Sequence, residues 1–208
     1  MFIERLSKKF NVNEPILTEE ILGLFPEYSR AQVFRYIEKA KRSNVIVQFA
    51  KGVYYIPTIT FWGEFSTITA DSVIEKKYLR YADQTYGIYS GIKLLNNFSI
   101  TTQMAAVIEI VTNNETTRCR EINIGGRKFI LRKSRCEINK NNYAVYTILQ
   151  LFNDFTQQDC LDESSRRILL EYIRNYKVTQ KQLLELSTQF PAQTTKKLIR
   201  SGIINEIA

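Results

Sequence analysis

The segment from Pro26 to Pro57 constrains the fold of this chain more than any other stretch. It reads PEYSRAQVFRYIEKAKRSNVIVQFAKGVYYIP. Ser29 is a good N-cap, because its hydroxyl can accept a hydrogen bond from the unpaired amides of a first helical turn. After Asn44 the pattern changes to two short β-rich runs joined by a five-residue connection that ends in Gly52, which predicts a hairpin. The helix itself is predicted by apolar residues at helical spacing: Val33, Ile37 and Ala40.

The opposite face of this helix is polar and basic. Gln32, Arg35, Lys39 and Arg42 recur at spacings of three and four residues. Between Pro26 and Tyr55 the chain has six Lys or Arg and two acids, a net charge of +4. A three-helix core with a solvated charged face is one interpretation. The charge, the turn length and the hairpin together favour DNA binding.

Residues upstream complete a helix-turn-helix pattern. Apolar residues from Phe2 to Phe10 form a first helical stripe. A second helix is predicted from Thr18, as its cap, to Phe25. Four residues starting at Pro26 separate it from the next helix, as a helix-turn-helix requires. Residues 1–60 are therefore predicted to form a winged helix-turn-helix domain.

Composition points to a nucleic-acid partner and a reducing environment. The 208 residues carry a net charge of +8, with a pI near 9.3, which suits a polyanion. Three cysteines, Cys119, Cys136 and Cys160, are few and odd in number, which favours free thiols. No apolar run approaches a membrane span and no signal peptide opens the sequence. We therefore expect a soluble, cytoplasmic protein without a membrane partner.

Residues 61–208 are predicted to form a second, α+β domain: a small mixed sheet followed by helices from about residue 139. The overall fold class is thus α+β. Trp62, in an aromatic and Thr-rich stretch, is expected to pack between the two domains. An unbroken apolar strand is predicted over residues 105–111.

The segment from Arg118 to Arg135 predicts a basic hairpin in this second domain. Gly125-Gly126 joins two alternating runs, and glycine accepts the positive φ angles of a tight turn. The segment has seven cations and one acid, a net charge of +6. A nucleic-acid surface and a solvated sheet edge blunted by Lys and Arg are both consistent with it. The cations proposed as DNA contacts are Arg118, Arg120, Arg127, Lys128, Arg132 and Lys133.

These residues resemble those of AbiEi-type antitoxins of type IV toxin–antitoxin systems. The similarity rests on SRAQVFRYIEKAKRSN and FAKGVYYIP, and on GIYSGIKLLNNFSITTQMAAVIEIVTNNE followed by REINIGGRKFILRK. It spans about residues 29–154. The resemblance implies an N-terminal winged helix that represses its own operon and a C-terminal domain that counters a nucleotidyltransferase-like toxin. Arg30, Gln32, Arg35, Lys39 and Lys51 match the DNA-facing positions of that fold. The candidate DNA contacts of the N-terminal domain are these five together with Ser29 and Arg42.

Enzymatic function has little support in the sequence. The chain has no histidine, so Ser-His, Cys-His and His-metal sites are all excluded. The cysteines lack ligand spacing, and Gly125-Gly126 lacks the Lys-Ser/Thr of a phosphate loop. We therefore expect no catalytic residue, no metal and no cofactor. The alternative function is a protein-interaction module whose basic surface binds an acidic partner without sequence-specific DNA binding.

Overall fold

The computed structural model describes residues 2–156 and 161–207. Its architecture is α+β, and the chain divides into two compact units. The first unit contains the residues up to Lys77 together with Ile124–Gly126. The second contains Tyr78–Asn123 and the residues from Arg127 onwards. The first unit thus continues past residue 60, where the sequence predicts a domain boundary.

The first unit combines helices with a three-stranded antiparallel sheet of order β1-β3-β2. Its core is filled by Leu6, Ile21, Val33, Ile37 and Ile46, each at most 1% exposed. In chain order its elements are α1 (Phe2–Lys9), β1 (Ile16–Leu17), α2 (Thr18–Leu24), α3 (Arg30–Arg42), β2 (Val47–Ala50), β3 (Val53–Tyr55) and α4 (Ala70–Ile74), which a π-helical turn extends over Glu75–Leu79.

The predicted cap of α3 is confirmed. The Ser29 hydroxyl accepts a hydrogen bond from the Gln32 amide at 3.3 Å, and Gln32 Oε1 accepts one from the Ser29 amide at 2.8 Å. The prediction that Thr18 caps α2 is wrong, because the cap is Leu17. The Leu17 amide donates to Glu20 Oε2 at 2.8 Å, while the Thr18 hydroxyl donates to the Gly52 carbonyl. A side chain from inside the helix therefore does the capping.

The hairpin after α3 is tighter than its sequence indicates. The sequence predicts a five-residue connection, but β2 continues to Ala50 and only Lys51-Gly52 separates the strands. Ala50 pairs with Val53, and a register irregularity between Gln48 and Ala50 absorbs one residue. β1 has no sequence prediction, and it completes the sheet by pairing with β3.

A four-stranded mixed sheet of order β6-β7-β9-β8 lies in the second part of the chain. β6 and β7 pair antiparallel, whereas β7 and β9 pair parallel. The β8–β9 turn has φ angles of 56° at Gly125 and 80° at Gly126, as the Gly-Gly turn predicts. The elements are β4 (Arg80–Tyr81), β5 (Gln84–Thr85), β6 (Gly87–Ser90), α5 (Gly91–Asn97), β7 (Ile108–Thr112), β8 (Cys119–Ile124) and β9 (Arg127–Lys133).

Helices follow the sheet, and α6 is the most deeply buried of them. Tyr146, Ile148, Leu149 and Phe152 on α6 are completely buried in the core of the second unit. Asp162 and Thr179 cap the next two helices, each accepting a hydrogen bond from the amide three residues later. The helices are α6 (Tyr143–Asp154), α7 (Glu163–Asn175), α8 (Gln180–Ser187) and α9 (Ala192–Arg200), and a 3₁₀ turn spans Ile203–Glu206.

The predictions for Trp62 and for the cysteines have different outcomes. Trp62 is 84% exposed, so the prediction that it is a packing residue is wrong. Cys119 and Cys136 are free, as predicted, and Cys160 lies outside the described residues.

Across residues 2–156 and 161–207, every helix is too short or too polar to span a membrane.

Candidate nucleic-acid interface

Helix α3 positions the predicted contact residues of the first unit. Its apolar face, Val33, Ile37 and Ala40, is at most 1% exposed, so the orientation of the helix about its axis is determined by packing. The opposite face is therefore presented to solvent. All seven predicted contact residues of this unit are exposed: Ser29, Arg30, Gln32, Arg35, Lys39, Arg42 and Lys51.

The basic row on α3 is not neutralised by acids. Within the described part of the chain, the side chains of Arg35, Lys39 and Arg42 form no salt bridge. The one acid on this surface, Glu38, pairs with Lys41 at 2.8 Å. Glu38 therefore does not cancel a charge of the row. Three cations spaced one helical turn apart remain available to an anionic partner.

The basic surface of α3 is also concave in one region. A shallow depression on α3 is lined by Phe34, Arg35, Glu38, Lys39 and Arg42. The Arg30 guanidinium lies 5.6 Å from the centre of the Phe34 ring, which orders its long side chain. The Gln32 and Ser29 side chains are engaged in the cap, so they are less available for contacts than their positions suggest.

Lys51 lies on the two-residue turn between β2 and β3. The next residue, Gly52, has a φ angle of 74°, a conformation that favours glycine. The Gly52 carbonyl accepts hydrogen bonds from the Thr18 amide at 3.0 Å and the Thr18 hydroxyl at 3.1 Å. These bonds attach the turn to the start of α2, so the Lys51 position is fixed relative to the helices.

The basic hairpin has less free charge than its sequence indicates. Arg120 pairs with the buried Glu115 at 2.7 Å, Lys128 with Glu121 at 3.2 Å, and Arg132 with Glu109 at 2.8 Å. Burial would raise the pKa of Glu115, but hydrogen bonds from Thr117 and Arg120 hold it below its ordinary value. Two of the three acids lie outside the Arg118–Arg135 segment, which is why a count over that segment misses them.

The hairpin cations other than Arg120 and Arg132 fall into two groups. Arg127 and Lys128 lie at the start of β9, next to the Gly-Gly turn, and we call them the turn-end cations. Arg118, Lys133 and Arg135 lie at or beyond the other ends of the two strands, and we call them the open-end cations. At about 3.3 Å per residue, Arg127 and Lys133 are roughly 20 Å apart. The hairpin therefore presents two separate basic regions.

Sequence reasoning missed a polar network at the end of α6. Asp154 Oδ2 accepts hydrogen bonds from Ser90 Oγ at 2.8 Å and from the Gly91 amide at 2.7 Å. Its Oδ1 accepts from Gln150 Nε2 at 2.7 Å and from Asn153 Nδ2 at 3.2 Å. Burial raises the pKa of Asp154, and these four donors oppose that shift. An Asp at the end of a helix gives little sequence signal for such a role.

Metal binding has no structural basis in the described residues. No three His, Cys, Asp or Glu side chains converge there on a common point. The expectation that the chain uses no metal or cofactor stays a prediction. The exposed basic surfaces are suited to binding polyanions.

Two comparisons with known proteins were without a match. None of the protein-family models matches this chain, and no curated protein matches it. The resemblance to AbiEi-type antitoxins therefore stays a hypothesis that rests on the residues themselves.

Proposed function

We propose that the N-terminal part of the chain is a winged helix-turn-helix that binds double-stranded DNA. In this proposal α3 enters the major groove and Lys51, on the β2–β3 turn, contacts the phosphate backbone. The order of elements supports it, because α2 and α3 are joined by a short turn and followed directly by a β-hairpin. The observation that carries the proposal is the exposed, unneutralised row Arg35, Lys39 and Arg42.

The biological role that we propose is transcriptional regulation by an antitoxin. The protein represses its own operon in the cytoplasm and counters a nucleotidyltransferase-like toxin, with or without direct contact between the two proteins. The resemblance to AbiEi-type antitoxins supports this role. The proposal includes no catalytic residue, no metal and no cofactor.

Operator geometry follows from the size of the domain. One recognition helix covers few base pairs, so we propose that the protein binds as a homodimer or cooperatively on repeats. Half-sites in a footprint upstream of its own gene are then expected on one face of the duplex. Their centres should be about 34 Å apart, one helical turn, or a multiple of that distance.

The direct test is the affinity of the Arg35→Ala protein for the DNA upstream of its gene, measured by fluorescence anisotropy. If Arg35 hydrogen-bonds to a guanine edge, the free energy of binding to this DNA weakens by roughly 1–3 kcal/mol. Binding to random DNA then weakens much less. Arg174→Ala, an exposed arginine on α7, is the matched control. Equal loss on operator and random DNA makes Arg35 a phosphate contact, and no loss on either refutes its role.

The alternative, a protein-interaction module with an acidic partner, also uses this basic surface. It would be favoured if the face of α3 around Arg35 were buried against another domain or subunit; in the single chain Arg35 is exposed. It makes a different prediction for the same experiment. The unmodified protein then shows only weak DNA binding, equal on operator and random sequences.

A further inference from the structure

A pocket of about 470 Å³ lies in the second unit, between β6, β7, β9 and α6. Its volume is within the range of small-molecule sites in proteins. Its lining is mostly polar, and its rim carries the three open-end cations together with Arg132. No residue of α3 or of the β2–β3 turn lines this pocket.

The polar side chains at the floor of the pocket are already hydrogen-bonded to one another. Asp154 accepts four hydrogen bonds there, and one of its donors, Ser90 Oγ, also accepts a bond from Gln150 Nε2 at 3.2 Å. On the far side, Asn153 Oδ1 accepts from Thr194 Oγ1 on α9. Because its oxygens are occupied, Asp154 is not an open ligand for a cation. A network with all members paired instead provides a fixed surface against which a ligand can rest.

The acids of the lining leave the rim positively charged. Glu109 is the second carboxylate, and it pairs with Arg132 at 2.8 Å. This hydrogen bond raises the pKa of Arg132, which remains a cation engaged by Glu109. Arg118 and Lys133 have no side-chain ion pair or hydrogen bond within the described residues, and both are exposed. The lining thus carries four cations against two carboxylates, Glu109 and Asp154, which leaves a formal excess of two positive charges.

Arg135 is held in place at this rim. Its backbone amide donates to Tyr146 Oη at 2.9 Å, and burial raises the pKa of this completely buried tyrosine to about 12, so the phenol stays neutral. The Arg135 guanidinium lies 5.4 Å from the centre of the Phe190 ring. Stacking on an aromatic face leaves the N–H edge of an arginine able to bind an oxyanion.

We propose that this pocket binds a small phosphorylated molecule, with its phosphate on Arg118, Lys133 and Arg135 and its polar body against the Ser90–Asp154 floor. Guanidinium groups bind phosphate through paired, charge-assisted hydrogen bonds. A concave site with a closed floor suits a small ligand, whereas duplex DNA presents its phosphates on a convex rod. The second unit then acts as a receptor for this ligand.

Isothermal titration of the full chain tests the pocket with three probes: adenosine 5′-monophosphate, ribose 5-phosphate and unphosphorylated adenosine. We expect saturable binding of one or both phosphorylated probes and at least tenfold weaker binding of adenosine. Arg135→Gln and, separately, Arg118→Gln should each weaken the phosphorylated probe by about tenfold, as expected for one lost charge-assisted bond. Arg118 is exposed, so its variant remains informative if Arg135→Gln perturbs the fold.

Arg167→Gln is the control, since Arg167 is exposed on α7 and does not line the pocket. It should leave the titration unchanged. The proposal is overturned if neither phosphorylated probe saturates, or if Arg167→Gln weakens binding as much as Arg118→Gln does. It is also overturned if Arg118→Gln and Arg135→Gln lower the affinity for duplex DNA while the affinity for the small probes is unaffected. Loss of DNA binding in Arg35→Ala has no bearing on these outcomes.

Discussion

Lys76 Nζ lies 2.9 Å from Glu20 Oε1, and only 5% of the lysine side chain is exposed. The same ammonium group contacts Glu14 Oε1 at 2.9 Å and the Pro15 carbonyl at 2.7 Å. Glu20 uses its other oxygen to cap α2 through the Leu17 amide. One lysine in the helical segment after Ala70 thus holds the start of α2 and the loop before it. This contact joins the end of the first unit, which extends to Lys77, to α2 and the loop before it.

Replacing Lys76 by methionine should destabilise the protein strongly. The change leaves two partly buried carboxylates without their cation, and breaking a buried ion pair from one side typically costs about 3–5 kcal/mol. Urea unfolding followed by circular dichroism measures the free energy of unfolding. The control is Lys41→Met, which removes the more exposed pair with Glu38 and should cost less than about 1 kcal/mol. Equal costs for the two variants would contradict the bridging role of Lys76.

The Lys76 contribution should disappear at alkaline pH. Burial would lower its pKa, but hydrogen bonds and charge from Glu14 and Glu20 raise it above the ordinary value of 10.5. The folded state therefore holds this proton more tightly than the unfolded state does. The stabilisation is complete below pH 10.5 and is lost as the pH rises through the folded pKa. We expect the stability gap between the unmodified protein and Lys76→Met to be constant from about pH 6 to 9 and to narrow above this range.

Replacing Asp154 by asparagine should disrupt the floor of the pocket. An amide nitrogen cannot accept hydrogen bonds, so two of the four donors around this side chain lose their acceptor and face another donor. The cost of leaving buried polar groups unpaired is about 1–3 kcal/mol. Thermal unfolding measures it, with Asp83→Asn as the exposed control that should not change the midpoint. An unaltered midpoint in Asp154→Asn would show that the network contributes little to stability.

The turn-end and open-end cations of the hairpin should contribute differently to DNA binding. If Arg127 and Lys128 bind backbone phosphates, Arg127→Gln with Lys128→Gln should flatten the salt dependence of operator binding. The slope changes by about 0.9 for each phosphate that the variant no longer neutralises, while sequence preference is retained. Arg118→Gln with Lys133→Gln should leave the slope unchanged, because we assign these cations to the pocket. An unchanged slope in the turn-end variant would identify that region as a solvated sheet edge.

Elements specified by neighbouring residues could be predicted from the sequence. The Ser29 cap and the apolar spacing of Val33, Ile37 and Ala40 define α3 within a single segment, and the structure places it accordingly. The Gly125-Gly126 turn was equally predictable, because its φ angles depend only on local backbone sterics. The exposure of the α3 cations then follows from the helical period.

Features built from distant residues could not be predicted in this way. β1 has two residues, too few for a periodic signal, and it exists through pairing with β3. The sequence around Lys76 does not indicate a buried ion pair, because its partner Glu14 is 62 residues away in sequence. Asp154 and Ser90 are separated by 64 residues. Such contacts depend on the tertiary fold, so sequence spacing alone does not reveal them.

The exposure of Trp62 determines what optical spectroscopy can report on this protein. It is the chain's one tryptophan, and it lies beside Phe61 with ring centres 5.4 Å apart. Since water already surrounds most of this indole in the folded state, its emission maximum should shift little on denaturation. Buried tyrosines such as Tyr146 supply the near-ultraviolet signal of the packed core instead. Indole fluorescence is therefore a local probe, sensitive to any molecule that covers the loop around residue 62.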